Sequence, residues 1–199
     1  MPITGHGWEL LVKRLGLQSH GGITRTYASY QAHHDGVAIP ELSGHICECI
    51  GPGNNVIKKS GKRIAAKRYP LSTHFGTKYK SMGFSMNLKK AAVLAMPGLL
   101  LKQTGVRTAI LIHPGHPPNL YLSSVGCLNP TKPLRTNDNM EFFESRARVI
   151  ALIDSLRAFH PDAFRSGKPM PIPDAFVVID GEPMDPLADP PPSGPPLVS

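Results

Sequence analysis

Glycine and proline recur along most of the chain and limit the length of its regular elements. The 199 residues include 21 prolines and 19 glycines, and only 18% are charged. Proline interrupts helices and central strands and glycine favours turns, so this composition favours many strands over a helical bundle. With 41% hydrophobic residues, the chain can bury one substantial core. The sequence predicts a mainly β fold of the sandwich or barrel type.

Strand predictions rest on the periodicity of apolar residues. WELLVKRLG (8–16), ITRTYASYQ (23–31) and GHICECI (44–50) alternate polar and apolar residues and end near turn residues, which predicts a three-stranded meander. VRTAILI (106–112) is almost continuously apolar and predicts a strand in a central position. YPLSTHFGTKYKSMGF (69–84) is predicted to form strand and loop at the mouth of a site.

One main helix is predicted near residues 139–159. Asp138 precedes it as a cap, and Glu141, three residues later, completes a capping box. Apolar residues follow at helical spacing from Phe142 to Leu156, so the helix is expected to pack on the sheet.

Proline dominates the sequence after the helix. Residues 1–164 are predicted to form a single β-rich domain that includes the helix, and 165–182 an extended segment with a short edge strand, AFVVID. Residues 183–199 carry seven prolines and no aromatic residue, which predicts a disordered tail.

Positive charge is concentrated before the proline-rich end. Residues 1–159 contain 20 of the 22 basic residues and 8 of the 14 acidic ones, a net charge of +12. Such a surface attracts polyanions, including nucleic acid, anionic lipid and cell-wall carboxylates. KKSGKRIAAKRYP (58–70) is predicted to form a solvated basic face. The chain has no RNA-recognition, zinc-finger or helix-turn-helix pattern, so no specific nucleic-acid partner is expected.

Neither a membrane span nor a secretory signal is predicted. No window approaches the roughly 18 apolar residues of a membrane helix. The opening MPITGHGWELLVKRLG lacks the charged start and apolar centre of a signal peptide. We expect synthesis in the cytoplasm and, for a protein acting on the cell wall, delivery by another route.

The segment ILIHPGHPPNLYLSSVGCLNP (110–130) contains the best candidates for chemistry. His113 ends the predicted strand, and a fourteen-residue excursion allows Cys127 to return to its side. A cysteine near an imidazole can act as a nucleophile, since the imidazole accepts the thiol proton. The opposing interpretation is a buried core cysteine, because SVGCL is largely apolar.

Residues flanking this pair are assigned supporting roles. Gly126 allows a tight turn beside the cysteine, and the backbone amides of Gly126 and Cys127 are suited to an oxyanion hole. Ser123 or Ser124 is expected to hold the imidazole or a substrate carbonyl. Gly115 and His116 follow the histidine and are expected to contact substrate.

Other cysteines and histidines give weaker predictions. Cys47 and Cys49 are two residues apart in a predicted strand, which suits neither a mutual disulfide nor a complete zinc site. No metal or other cofactor is expected. His74 is predicted to line the substrate pocket together with Tyr69 and Tyr79.

The ordered segments RIAAKRYPLSTHFG, ILIHPG and SSVGCLN, within about residues 60–130, resemble the catalytic domain of L,D-transpeptidases, also called YkuD-like. That family runs through a TPxGxF-type segment, a strand ending in IxIHG and an SxGC motif. A related group of small phage and prophage proteins shares the IHxG and GC elements and a Ser-Arg pair, here Ser145 and Arg146. Asn129 stands where an arginine normally follows the cysteine, so Arg146 or Arg135 is expected to bind the substrate carboxylate.

The resemblance implies an L,D-transpeptidase-type fold and a peptidoglycan-modifying enzyme. Cys127 would attack the carbonyl before a D-alanine of a stem peptide and form a thioester, with His113 as the base. Transfer to an amine gives a cross-link or exchange, and transfer to water gives an L,D-carboxypeptidase. An antibacterial effector would also meet an immunity protein or a secretion-system component. The alternatives are a non-catalytic wall-binding or phage structural module, and a Cys/His amidase for another peptide-like substrate.

Overall fold

A computed structural model describes residues 1–189 of the chain. Within these residues there are one α-helix, α1 (Phe142–Phe159), and two short 3-10 helices, Leu88–Lys90 and Pro161–Phe164. The strands are β1 (Trp8–His20), β2 (Ile23–His34), β3 (Val37–Cys49), β4 (Arg68–Thr73), β5 (Tyr79–Lys80), β6 (Met96–Pro97), β7 (Leu99–Leu101), β8 (Leu111–Ile112), β9 (Asn129–Thr131) and β10 (Pro171–Asp180).

Eight strands form a nearly closed, barrel-like sheet in the order β8-β7-β4-β10-β1-β2-β3-β9. A parallel bridge between Ile112 and Leu128 brings the two ends of this order together. β5 and β6 form a separate two-stranded parallel pair. The predicted mainly β fold with a single main helix is confirmed, and so are the three strands of the N-terminal meander.

One apolar core fills the inside of the sheet. Alternating positions of the meander point into it, as the period of two requires, and these residues are fully buried. They include Leu10 and Val12 of β1, Ala28 of β2 and Ile46 of β3. Helix α1 contributes a buried stripe to the same core, and the Trp8 indole donates to Ser155 Oγ at 3.0 Å. The helix therefore closes the core against the sheet.

The helix begins slightly later than predicted and has a different cap. Its first residue is Phe142, and the Glu141 side chain accepts hydrogen bonds from the amides of Phe143 and Glu144. Asp138 instead accepts from the Arg135 amide at 2.8 Å. The predicted capping box is therefore wrong, because Asp138 closes a preceding turn and leaves the cap position to Glu141.

Two strand predictions are corrected. Residues 175–180 belong to β10, which is not at an edge: it pairs in parallel with β1 and antiparallel with β4. Ala175 and the adjacent Val177, Val178 and Ile179 are all fully buried, since a strand covered on both faces reads as a continuous apolar run.

The predicted central strand over 106–112 is mostly irregular. Only Leu111 and Ile112 form a strand. The extended conformation is interrupted before them, because Ala109 adopts a positive φ of 56° and the Arg107 amide donates to Thr104 O in a turn. β8 is nevertheless flanked by β7 on one side and by the Ile112–Leu128 bridge on the other.

The segment after β10 also packs on the sheet. Leu187 and Leu17 are joined by a backbone hydrogen bond of 2.7 Å, and Asp189 accepts from Thr136. The prediction of a disordered tail is therefore wrong for Leu187 and Asp189. The rest of the predicted tail, 190–199, lies outside the described residues.

A buried ionic cluster connects the strands to this segment, and we call it the Arg14 cluster. Arg14 makes a two-point ion pair with Glu48, with both distances 2.8 Å and both side chains fully buried. Glu182 bonds to Arg14 at 2.8 Å and to Arg63 at 2.9 Å. The predicted solvated face is thus wrong for Arg63, which is fully buried because Glu182, Thr26 and Pro183 accept its hydrogen bonds.

Candidate functional site

The seam of the barrel places Cys127 and His113 on the same face of the sheet. The Leu128 amide donates to Leu111 O at 2.9 Å, and the His113 amide donates to Leu128 O at 3.0 Å. This parallel register sets Cys127 beside Leu111 and His113 beside Asn129, with Ile112 and Leu128 facing the core. Because side chains alternate along a strand, Cys127 and His113 become diagonal neighbours across the seam.

Both side chains line one open cavity of about 490 Å³. One wall is formed by residues of the segment predicted to form the mouth of a site, from His74 to Tyr79 without Phe75. The loop between the two candidate residues, together with Ala109 and Leu111 before it, supplies the rest. The lining residues are His74, Gly76, Thr77, Lys78, Tyr79, Ala109, Leu111, His113, His116, Asn119, Leu122, Ser123, Ser124, Val125 and Cys127.

The His113 ring is held from two sides and keeps one nitrogen free. Nδ1 lies 2.8 Å from the Pro114 carbonyl and 3.2 Å from Asn129 Nδ2. The shorter contact is a hydrogen bond only in the tautomer with the proton on Nδ1, because a carbonyl can only accept. Asn129 Nδ2 donates to His113 O at 3.0 Å, and the Tyr79 ring stacks on the imidazole at 4.4 Å between centroids. Within residues 1–189 no hydrogen bond engages Nε2, so this atom is available as a base.

Burial keeps both candidate groups neutral in the free protein. It lowers the pKa of His113 to about 3, and the nearby positive charge of Lys78 acts in the same direction. It raises the pKa of the Cys127 thiol to about 11, although the hydrogen bond that the Leu111 amide donates to Sγ at 3.3 Å acts to lower this pKa. The site thus holds a thiol and a neutral imidazole, not a thiolate–imidazolium pair.

The turn before Cys127 is built by Ser124. Its hydroxyl accepts from the Gly126 amide at 2.8 Å and donates to Cys127 O at 2.7 Å. Gly126 has a φ of 142°, and a Cβ there would collide with the Arg107 guanidinium, so only glycine fits. Ser124 therefore shapes the turn instead of holding the imidazole.

Only one of the two predicted oxyanion donors is available. The Gly126 amide is occupied by Ser124, whereas the Cys127 amide has no acceptor within the described residues. An oxyanion formed at Cys127 would receive its backbone hydrogen bond from the Cys127 amide.

The Ser123 side chain holds the loop between His113 and Cys127 through hydrogen bonds to the loop backbone. Ser123 Oγ accepts from the His116 amide at 2.8 Å and donates to Asn119 O at 2.6 Å. Ser123 thus lines the cavity but has its hydroxyl committed to the loop. His116 lines it too, with Nε2 3.0 Å from the Tyr79 hydroxyl.

Ser145 ties the two halves of the seam together. Its hydroxyl accepts from the Gly115 amide at 2.8 Å and donates to the carbonyl of Pro130. Gly115 is therefore a structural residue beside the site and does not line the cavity, since Met140 occupies the space next to its Cα.

Two predicted substrate-binding residues lie elsewhere. Tyr69 is fully buried in the core, and its hydroxyl bonds to Asn55 and Ala65. Arg146 is 4% exposed and donates to Ser85 O, because its position on the buried face of α1 directs it to the 84–86 segment. Neither residue lines the cavity. Arg135 lines a separate cavity with Asp138 and Asp189.

Two residues of the site were not predicted as such. Lys78 lies in the segment predicted to form the mouth, but no sequence pattern assigns it a role, whereas Tyr79 was predicted to line the pocket and does line the cavity. Asn129 follows Cys127 by two positions, and only the parallel register places it against His113.

Among residues 1–189 no three His, Cys, Asp or Glu side chains are grouped as metal ligands. No helix there has the length and apolarity required to cross a membrane. The three cysteines are free thiols.

No family model, no curated protein and no solved structure matches this chain. The resemblance to L,D-transpeptidases therefore rests on the ordered motifs alone, and the site is defined by its own geometry as a buried thiol and imidazole that share a cavity.

The lowered pKa of His113 predicts a pH dependence of stability. Between about pH 6.5 and 3 the unfolded chain binds a proton at this ring that the folded chain does not. Folding stability is therefore fully present above this window and is lost as the pH falls through it, by up to about 1.4 kcal/mol per pH unit.

Urea unfolding at pH 7, 6, 5 and 4 measures this effect. The free energy of unfolding of His113→Gln should fall less steeply with pH than that of the wild type. Equal slopes in the two proteins would contradict the buried neutral state.

Proposed function

We propose that the protein is a cysteine-dependent acyl-transfer enzyme of the L,D-transpeptidase type, which cleaves the bond before a D-alanine of a peptidoglycan stem peptide. The observation that carries this proposal is the placement of Cys127 and the free Nε2 of His113 on one face of the barrel seam, at one cavity. The substrate class comes from the resemblance of the ordered motifs to that family.

The first half-reaction begins with both groups neutral. As Sγ of Cys127 attacks the substrate carbonyl and the S–C bond forms, the thiol proton passes to Nε2 of His113. The Cys127 amide donates to the oxyanion that develops. The Leu111 amide, which donates to Sγ in the free protein, stabilises the negative charge that grows on sulfur during the attack.

The second half of the reaction returns the protons. When the C–N bond breaks, Nε2 gives its proton to the leaving amine of D-alanine, and a thioester remains on Cys127. An amine or a water molecule then attacks the thioester and loses a proton to Nε2. When the C–S bond breaks, Nε2 returns this proton to Sγ and the thiol is regenerated. The amine acceptor gives a cross-linked or exchanged peptide, and water gives a shortened one.

Intact-protein mass spectrometry tests this proposal. Brief incubation with purified tetrapeptide muropeptides should give a mass increase equal to the acyl part of the peptide, together with released D-alanine. Cys127→Ala should show neither product. An unchanged mass and unchanged muropeptides in the wild type would overturn the proposal. A Cys/His amidase for another substrate would instead form adducts from peptides that lack the D-alanine.

A non-catalytic wall-binding or phage structural module is the second candidate, and one observation favours it. Cys127 is only 8% exposed, and its sulfur is already engaged by the Leu111 amide and the Ala109 carbonyl. A cysteine with this environment can serve as a core residue.

Native-state alkylation separates the two candidates. An accessible nucleophile at the cavity should react with iodoacetamide faster than Cys47, which is fully buried, and Cys49, which is 3% exposed. Reaction of all three thiols only after unfolding would favour the second candidate.

Delivery to the cell wall is part of the same proposal. The basic composition suits a protein that works on a negatively charged wall. An antibacterial effector that is transferred between cells, with an immunity protein as partner, is a role in which such an enzyme would reach the wall. The test of this role directs the protein to the periplasm of a bacterial strain and measures survival with and without the protein encoded next to it. Survival only when that neighbouring protein is present would support an effector with an immunity partner.

A further inference from the structure

We propose that Lys58, Lys59 and Arg107 form an anion subsite next to Cys127, which binds the free carboxylate of the terminal D-amino acid. We call it the Lys58 subsite. The inference rests on the proposed function and adds the residues that select a substrate with a free carboxyl end.

The subsite is a second cavity that meets the first one at the nucleophile. Its volume is about 240 Å³, and Cys127, Val125 and Ala109 belong to the walls of both cavities. His113 lines only the larger cavity. A substrate with its carbonyl at Cys127 can therefore extend in two directions, with the acyl part on one side and the leaving residue on the other. The lining residues of the smaller cavity are Lys58, Lys59, Val106, Arg107, Thr108, Ala109, Ile110, Val125 and Cys127.

The charge of the smaller cavity is positive and uncompensated. Arg107 is 5% exposed, and its guanidinium donates only to backbone carbonyls: those of Asn54, Lys62 and Val125 at 2.8–3.0 Å. Within residues 1–189 no carboxylate forms an ion pair with Arg107, Lys58 or Lys59. A bound carboxylate would supply the missing negative charge.

A structured turn holds the two lysines at the cavity. The Asn54 side chain accepts from the amides of Val56 and Ile57 at 2.9 and 2.8 Å, and the Val106 amide donates to Asn55 O at 3.0 Å. The turn is thereby attached to the segment that carries Arg107. The lysine side chains are exposed, so they can reach a ligand without displacing packed residues.

A carboxylate in this position distinguishes a terminal residue from an internal one. In a leaving D-alanine the carboxylate is separated from the scissile amide nitrogen by a single carbon, so it lies close to the nucleophile. An internal residue presents a neutral peptide bond at the same place. The Lys58 subsite therefore favours removal or exchange of the last residue over cleavage within a chain.

Two alkylating probes of similar size test the subsite. Iodoacetate carries a carboxylate and iodoacetamide does not. The rate of iodoacetate divided by that of iodoacetamide at Cys127 therefore reports the local attraction of anions. We expect this ratio to fall by about fivefold at low salt in the Lys58→Gln/Lys59→Gln variant, with the iodoacetamide rate unchanged. Lys89→Gln/Lys90→Gln is the matched control, because these two adjacent lysines are exposed and line neither cavity.

An unchanged ratio in the Lys58→Gln/Lys59→Gln variant, or an equal fall in the control variant, would overturn the Lys58 subsite while iodoacetamide still reacts at Cys127. Failure of iodoacetamide itself to reach native Cys127 would contradict the proposed function as well. Kinetics give a second reading: the Lys58→Gln/Lys59→Gln variant should raise KM for a tetrapeptide with a free D-alanine carboxylate and leave KM for its carboxamide unchanged. An equal change for the two peptides would again reject the subsite.

Discussion

Turnover of tetrapeptide muropeptides is expected to fall below detection in Cys127→Ala and by about 10²–10⁴-fold in His113→Gln. The first change removes the atom that forms the thioester. The second removes the base at a site where the thiol pKa is about 11, so that almost no thiolate is present at neutral pH.

The pH profile identifies the role of His113. In the wild type the imidazole is neutral over the working range because its pKa is about 3, so turnover should be nearly independent of pH from 6 to 9. In His113→Gln only the thiolate reacts, and the residual rate should rise about tenfold per pH unit toward the pKa of Cys127. A purely structural role of His113 would lower the rate without changing the profile.

His74→Gln is the matched control for this experiment. His74 lines the same cavity, and burial lowers its pKa too, but it is not paired with Cys127 across the seam. We expect it to keep most of the wild-type turnover. Equal losses in the two histidine variants, or activity in Cys127→Ala, would reject the assignment of the pair.

Replacing Glu48 by leucine is expected to lower the free energy of unfolding by about 3–5 kcal/mol. Glu48 is fully buried and accepts both the Nε and the Nη2 hydrogen bonds of Arg14. Without it, a buried guanidinium keeps only the half-exposed Glu182 as a carboxylate partner. Denaturant unfolding of the two proteins at pH 7 measures the difference.

The double variant Arg14→Met/Glu48→Leu provides the control. It removes the charge together with its partner, and a buried ion pair replaced by apolar residues of similar volume costs much less than a broken one. The double variant should therefore be more stable than Glu48→Leu alone. If it is less stable, the loss comes from packing and not from an uncompensated charge.

The Arg14 cluster also has a bearing on the site. Glu182, which bonds to Arg14 and Arg63, accepts from the amides of Gly53 and Ala66 on either side of the turn that carries Lys58 and Lys59. Removing Glu48 or Arg14 should therefore weaken anion binding at the Lys58 subsite more than it disturbs the His113–Cys127 seam. The seam is held by Ser145, which does not belong to the Arg14 cluster.

The local pattern of the sequence determined the main elements of the fold. Alternation at residues 8–50 predicted the meander and helical spacing predicted α1, because periodicity is a local property that tertiary contacts did not override here. The residue types at 113 and 127 gave a candidate pair, and the chemistry of that pair stays a prediction. The sequence also predicted the tight turn at Gly126. The structure adds that the close approach of the Arg107 guanidinium to this backbone requires glycine.

Tertiary structure alone decided which residues meet. The parallel register at the seam places His113 and Asn129 together, the insertion of β10 between β1 and β4 joins the two halves of the sheet, and burial removes Tyr69 and Arg146 from the cavity. It also joins Lys58, Lys59 and Arg107 around Cys127. Register and long-range pairing depend on contacts between residues distant in sequence. The local periodicity of apolar residues does not determine these contacts.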